Sequence, residues 1–546
     1  MEIIVRPGRR AGHVWLGLVA ACVLIAAAAG AQTPPVAVPP PASAESPLVR
    51  EFRFVGNTAI ASHELAQVVA AFTNRPASSA ALEEARRAVT LHYVGRGFLN
   101  SGAVLEDQVF KDGIVTLRIV EGRLSEIRVH PATNWLRADY IRDRLARVAG
   151  PPLNMPRLEE RLLMIRDNPN VARINAELEP GAAPGEGILD VRVVERSPWH
   201  LAFEAKNDRP PSVGGEILEA LLSHRNVTGH SDPLEVHWGL LERAGNKGRS
   251  SGIDNLGATY RFPLNAADTT LQLSYSRNNF AVLEEPFNAL AITSESESHG
   301  VLLRHPVLHA PTREFALSLG LDRKSSQSYL LGAPFSFSPG SVNGETTVSV
   351  LRLAQEYVAR SQTHVLALRS SFNLGLSILD ATQDGTARDT AFRSWVGQAQ
   401  YVRRLGDRGA QLILSTSAQW ADDPLLSPEQ FSLGGSSTVR GYRENQIVRD
   451  MGLLGTVELR LPLLHDRAGA ATVQLAPFCD YGKGWNVRTP TPGPGELTSA
   501  GIGLLLTPHP QFSAQIYWGH AFRNVNEGRH DPQDLGLHFK VRLMIF

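Results

Sequence analysis

From Ser197 to the C-terminus, apolar and polar residues alternate one for one along short runs separated by turn-forming residues. "TLQLSYS" sets Leu271, Leu273 and Tyr275 against Gln272, Ser274 and Ser276, and "FALSLGLD" sets Phe315, Leu317, Leu319 and Leu321 against Ala316, Ser318, Gly320 and Asp322. In "GTVELRLPL", Val457, Leu459 and Leu461 oppose Glu458 and Arg460. The last run places Leu537, Phe539, Val541 and Leu543 opposite His538, Lys540 and Arg542, with Phe546 one position out of phase. A period of two is that of a β-strand with one apolar face.

Alternation alone fits a sandwich whose polar face meets bulk water and equally a barrel whose polar face lines a lumen. The connections favour the barrel. Short breaks such as "PLNAAD" (263–268) and "LGDRG" (405–409) alternate with longer polar stretches around 279–298 and 322–345, and unequal rims are a feature of outer-membrane barrels. At roughly ten residues per strand plus connections, 197–546 accommodates about 16 antiparallel strands. An even number brings both barrel ends to one side of the membrane.

Upstream, a helical period replaces the dyad. Leu82, Ala85 and Val89 share one helical face, as do Leu158, Leu162 and Ile165. This region repeats: "EFRFVGN" at Glu51 is matched by "EIRVHPA" at Glu126, and "LRIVE" at Leu117 by "VRVVE" at Val191. Two small β-α-α-β-β modules, 48–122 and 123–196, are the economical reading. The fold class expected is therefore mostly β: a transmembrane barrel preceded by two α+β domains.

The first 47 residues are of another kind. Arg6, Arg9 and Arg10 precede the apolar run "VWLGLVAACVLIAAAA", which ends in Ala29-Gly30-Ala31, so 1–31 reads as a secretory signal peptide. Val19-Ala20-Ala21-Cys22 has the spacing of a lipoprotein site, but the apolar run continues well past Cys22 and argues against lipidation. Residues 32–47, "QTPPVAVPPPASAESP", form a proline-rich linker without regular structure. Removal of the signal leaves Cys479 as the one cysteine, which excludes an internal disulfide or a cysteine zinc cluster. No later run reaches the ~18 to 20 apolar residues of a spanning helix.

Charge and motifs exclude further classes. Lys plus Arg and Asp plus Glu number 54 each, a balance unsuited to displacing counterions from nucleic acid. His305 and His309 flank a proline in an expected turn with no glutamate between them, and metal binding is not expected there. Gly501-Ile502-Gly503 lacks the third glycine of a dinucleotide fingerprint, and no G-x-S-x-G or phosphate loop occurs. Asp422-Asp423 reads as a solvated loop end. Neither catalysis nor a cofactor is expected.

One loop concentrates the chemistry. "LGGSSTVRGYREN" carries Val439, Arg440, Gly441 and Tyr442 behind the glycine pair Gly434 and Gly435. An arginine pointing into a lumen needs a carboxylate, because its fork of donors and permanent charge cannot stay unpaired. "TVQLAPFCDYGKGW" supplies one: with Val473 and Leu475 facing lipid, the dyad turns Gln474, Ala476, Phe478, Asp480 and Gly482 inward. The glycines permit a sharp reversal near the wall. Tyr442 could pack against that wall.

With two modules, a barrel and this loop, the whole mature chain resembles the two-partner secretion transporters, also called hemolysin secretion/activation proteins. They belong to a larger superfamily of outer-membrane polypeptide transporters and assembly factors. The resemblance implies that the modules are polypeptide-transport-associated (POTRA) domains and that Val439-Arg440-Gly441-Tyr442 is the superfamily's signature, at the tip of a sixth extracellular loop folded into the barrel. Phe478-Cys479-Asp480-Tyr481-Gly482 resembles its second motif, whose acidic residue pairs with the loop arginine. It implies a monomeric pore in the outer membrane of a Gram-negative bacterium, with the modules in the periplasm, that recognises an unfolded exoprotein there and passes it to the surface without ATP. The alternative is a factor that inserts other outer-membrane proteins, and a passive porin is a third reading. One departure is that 32–47 is too short and proline-rich for the family's N-terminal plug helix, so the plug is expected to be absent.

Overall fold

The computed structural model describes residues 4–5, 47–109, 111–239, 255–383, 390–466, 469–525 and 531–546. The signal segment and linker, and with them the question of a plug, lie outside these residues apart from 4–5 and 47. The chain divides into two compact units. The first contains the described residues of 1–132, 141–165 and 173–193, and the second contains 133–140, 166–172 and 194–546.

In the first unit, strand Glu51–Val55 runs parallel to Ile114–Val120, which pairs on its other side with Gly102–Val104. Helix Ser79–Gly95 begins where the Ser78 hydroxyl accepts from the Ala81 amide at 3.2 Å, satisfying one of the orphan donors of the first turn. Its stripe Leu82, Ala85, Val89 and Tyr93 is buried against Phe52, Val115 and Leu117. Each leucine so buried contributes ~1.5–3 kcal/mol of transfer free energy. The Glu121 carboxylate closes the core by accepting from the Thr58 and Ala59 amides at 2.6 and 2.7 Å and from the Tyr93 hydroxyl at 3.1 Å.

The second half of the repeat orders its strands Ile4–Val5, Val171–Pro180, Glu186–Glu195, Arg123–Pro131. Helices Ala138–Ala146 and Met155–Arg166 bury Ile141, Leu145, Leu158 and Leu162 completely. The two halves meet through backbone bonds, Leu153 N–H to Gly122 C=O at 2.6 Å and Met155 N–H to Gly97 C=O at 2.9 Å.

The second unit is dominated by a closed antiparallel barrel of sixteen long strands, counted among the described residues, with one two-residue strand, Ala333–Pro334, beside the seventh. The first strand, Trp199–Lys206, closes on the sixteenth, Leu537–Met544, in register from Ala202 opposite Met544 to Lys206 opposite Lys540. Connections at 264–269, 310–312, 361–363 and 406–409 form the short rim, and 331–344, 377–392, 422–450 and 522–536 the long one. Leu273, Leu317, Leu319, Leu353, Val457 and Leu543 face outward, each at least 44% exposed, while Ala316, Ser318, Glu458 and His538, of the opposite parity in their strands, are buried inside.

Of the two stretches read as loops, 279–298 and 322–345, the middles 282–292 and 331–344 are connections as expected, but their flanks are strand. The fifth, sixth and seventh strands run Thr270–Ala281, Thr293–His309 and Arg313–Leu330, and their ladder continues through Thr293 opposite Tyr329. Beyond the hydrocarbon layer both faces of a strand meet water, so backbone pairing persists where dyad alternation disappears. For the same reason His305 and His309 lie in a strand and not a turn. Pro306 borders a bulge at Val307, where its missing donor is tolerated, and the two imidazoles bond to Thr269 at 2.8 Å and Asp268 at 3.1 Å. Phe546 lies two residues past the end of the last strand, which removes it from the alternation.

The outward and inward faces should respond oppositely to charge. Leu353→Arg, on the lipid face halfway along its strand, should cost about 2–4 kcal/mol in reversible unfolding from vesicles. Gln400→Arg, on the lumen face, should leave that midpoint nearly unchanged.

Candidate functional site

The connection 422–450 between the eleventh strand, Ala410–Ala421, and the twelfth, Met451–His465, is the sixth on the long rim. It contains its own hairpin, Phe431–Leu433 paired with Ile447–Arg449. Between these arms Gly434 and Gly435 take φ of +103° and +104° and Gly441 takes +91°, so the chain reverses through left-handed backbone that side-chain-bearing residues avoid.

Arg440 is 5% exposed and Asp480 is wholly buried. The guanidinium meets that carboxylate bidentately, Nε to Oδ2 and Nη2 to Oδ1, both at 2.8 Å, and the Arg440 amide adds a third bond to Oδ2 at 3.0 Å. Nη1 donates to Glu458 Oε2 at 2.5 Å. The guanidinium carbon stands 3.6 Å from the Phe478 ring centroid and 4.9 Å from that of Tyr517, a cation-on-aromatic stack. Burial pulls the Arg440 guanidinium down, but Asp480 and Glu458 more than offset it and hold it above its ordinary value.

The neighbouring residues are wall contacts. Val439 and Tyr442 are fully buried with Leu433, Ile447 and Leu497, and the Tyr442 hydroxyl donates to the Thr498 carbonyl at 2.9 Å. Gly482 makes room for the loop: a Cβ there would lie 2.8 Å from Leu433 and Val439 side-chain atoms. A Cβ on Gly441 would lie 2.7 Å from the Gly519 carbonyl oxygen, so the loop backbone rests directly on the fifteenth strand. The Gly441 amide donates to His538 Nε2 at 3.1 Å.

Other contacts were not expected from the sequence. Glu458, on the strand beside Asp480, was legible as lumen-facing but not as an arginine partner. Arg443 is held by Asp534, Nε to Oδ1 at 2.5 Å, and by Glu284 at 2.8 Å. Where the loop enters, Glu429 accepts from Lys324 Nζ at 2.8 Å and Arg352 Nη2 at 2.7 Å, and Arg352 also reaches Asp322 at 2.6 Å. Burial raises the Glu429 carboxyl, and these cations more than reverse it, holding it below the usual carboxylate range. Asp450, at the exit, accepts from the Leu425 and Val487 amides at 3.1 and 3.0 Å, tying this loop to the next. Asp423 pairs with Arg488 at 2.7 Å. No sequence pattern marks these partners, because they come from strands and loops far apart in the chain.

The family profile of the haemolysin secretion/activation protein ShlB/FhaC/HecB matches residues 185–506, and that of the ShlB-type POTRA domain matches 48–122. The chain belongs to the haemolysin secretion/activation family. It is similar to the outer membrane transporter CdiB of Dickeya dadantii (strain 3937), 24% identical over 432 residues that cover 76% of this chain and 73% of the relative. It is 26% identical over 474 residues to CdiB of Escherichia coli O6:K15:H31 (strain 536 / UPEC), covering 85% and 78%. The solved structure of CdiB from Escherichia coli shares the fold, with a TM-score of 0.70 and 23% identity over 93% of each chain. As a family member the protein resides in the outer membrane with its POTRA region in the periplasm.

Because a family secretion protein must pass polypeptide through a lumen that this loop occupies, the strength of the Arg440 cluster is testable. Arg440→Ala leaves the buried Asp480 carboxylate uncompensated and Glu458 with Arg460 alone, at a cost of about 3–5 kcal/mol to loop docking. Amides of 434–446 should exchange with deuterium faster by orders of magnitude while barrel amides stay protected. Arg440→Lys should behave almost as badly, since an ammonium cannot reproduce the bidentate fork.

Proposed function

We propose that this protein exports one unfolded exoprotein, which its two periplasmic domains, 48–122 and 123–196, capture and the barrel, 197–546, passes to the surface. The observation that carries the reading is the sixth loop lying inside a closed barrel, fastened to the wall by buried ion pairs: a built obstruction that transit must move. In this reading Val439, Arg440, Gly441 and Tyr442 on the loop and Phe478, Asp480 and Gly482 on the wall form the latch.

The modules supply sheet edges. Glu51–Val55 borders its sheet, and Val171–Pro180 borders the other once the signal segment holding Ile4–Val5 is removed. Edge pairing reads backbone, so it selects for unfoldedness before sequence. The chain carries no nucleotide-binding motif, and the drive for transport is the client's own folding outside the cell. Neither catalysis nor a cofactor enters, and a single chain encloses the whole pathway, which makes the working unit a monomer.

Deleting the gene should remove one large protein from the culture supernatant, read by mass spectrometry, with the outer-membrane proteome unchanged. Loss of many outer-membrane proteins would assign the chain to membrane-protein assembly instead. In the restored strain Arg440→Ala should reduce export of that protein with the barrel still inserted, and undiminished export would show that the latch plays no part in transit.

A further inference from the structure

We propose that the periplasmic rim of the barrel carries a phospholipid site, built from Trp135, Arg137, Trp199, His224, Asn226 and Thr228, that takes the phosphate of an inner-leaflet lipid. These residues line a cavity of about 370 Å³. All belong to the second compact unit, which includes residues 133–140.

The position is fixed by strand alternation. Glu204 of the first strand is buried in the lumen, so Trp199, Leu201 and Phe203 face lipid. Trp199 is the first residue of that strand, His224 the last of the second, and the two are paired, with rings 4.5 Å apart. Along the same rim Tyr260 and Phe262 stand near the end of the fourth strand with rings 6.5 Å apart. Aromatic rings at one level on the outside of a barrel mark the boundary between hydrocarbon and headgroups.

Segment 133–137 is stitched to this rim. The Asn226 side-chain amide donates to the Trp135 carbonyl at 2.6 Å, the Arg137 amide to the Gly229 carbonyl at 2.9 Å, and the Thr133 amide to Glu195 at 3.0 Å. Leu136 is fully buried, whereas Trp135 is 44% and Trp199 49% exposed. Both indoles line the same cavity and stay partly open, presenting apolar surface at the foot of the lipid-facing strand. The cavity lining includes one permanent cation, Arg137, and no carboxylate. The Arg137 guanidinium suits a phosphate diester, and the indoles suit the start of an acyl chain. The occupant that matches both is a phospholipid of the periplasmic leaflet.

The test uses the full mature protein in vesicles of phosphatidylethanolamine with phosphatidylglycerol, with and without bromine on the acyl chains. The difference in fluorescence between the native protein and Trp135→Phe isolates the Trp135 signal. That signal should be quenched by the brominated lipid and shielded from aqueous iodide. In native mass spectra of detergent-extracted protein, a retained phospholipid should be lost in Arg137→Gln and should resist displacement by inorganic phosphate. Quenching by iodide and not by brominated lipid would overturn the proposal. So would equal lipid retention by Arg137→Gln, or displacement by inorganic phosphate, which would make the cavity a site for the free ion. Shielding that grows with protein concentration would assign the face to a second copy of the chain and overturn it as well.

Discussion

A strand in hydrocarbon has no water to satisfy its amides and carbonyls, so every ladder must find a neighbour and the sheet must close on itself. The pairing of Trp199–Lys206 with Leu537–Met544 meets that demand. Closure then imposes the rest. It gives the wall two chemically opposite faces, and at this strand number it encloses more space than the wall's own side chains fill. The sixth loop enters that space, and whatever charge it carries leaves bulk water with it.

This explains why two of the loop's charge clusters are balanced, although Arg443 meets two carboxylates, Asp534 and Glu284. Arg440 and Arg460 meet Asp480 and Glu458, and Lys324 and Arg352 meet Glu429 and Asp322. Each group sums to no net charge. Buried ion pairs add little stability over an apolar equivalent, because desolvation consumes much of the Coulombic gain, but losing one partner is expensive. Such pairs specify a position without sealing it irreversibly. The loop's remaining buried contacts are apolar, in the cluster of Leu433, Val439, Tyr442, Ile447 and Leu497. Polar anchors that water can resolvate, set around a small apolar cluster, suit the displaceable loop of the proposed function.

The dyad pattern made the barrel, its strand number and the faces of Val457, Glu458 and Asp480 legible, because lipid and lumen act on every residue of a membrane strand. Where that contrast ends, the pattern ends, and Thr293–Ser298 and Asp322–Leu330 read as loop although they are paired strand. The arginine motif and its wall carboxylate could be matched through the resemblance together with side-chain parity. The anchors at Glu429 and Arg443 could not. Their partners lie 77 and 91 residues away on other elements, and only the circular order of the barrel brings them together.

The same energetics bear on how a client could displace the loop. Pairing with a sheet edge gains about 1 kcal/mol net per hydrogen bond, whereas ordering each added residue costs roughly 1–2 kcal/mol. Edge addition to Glu51–Val55 or Val171–Pro180 is therefore close to neutral by itself. Inverting a loop that is docked 99 times in 100 needs about 5.5 kcal/mol of differential binding. Two or three client side chains buried beside the edge, at ~1.5–3 kcal/mol each, reach that figure. The edge can recognise that a polypeptide is unfolded. In the proposed function, the side chains placed next to it would decide which polypeptide opens the barrel, favouring a client whose apolar spacing fits the modules.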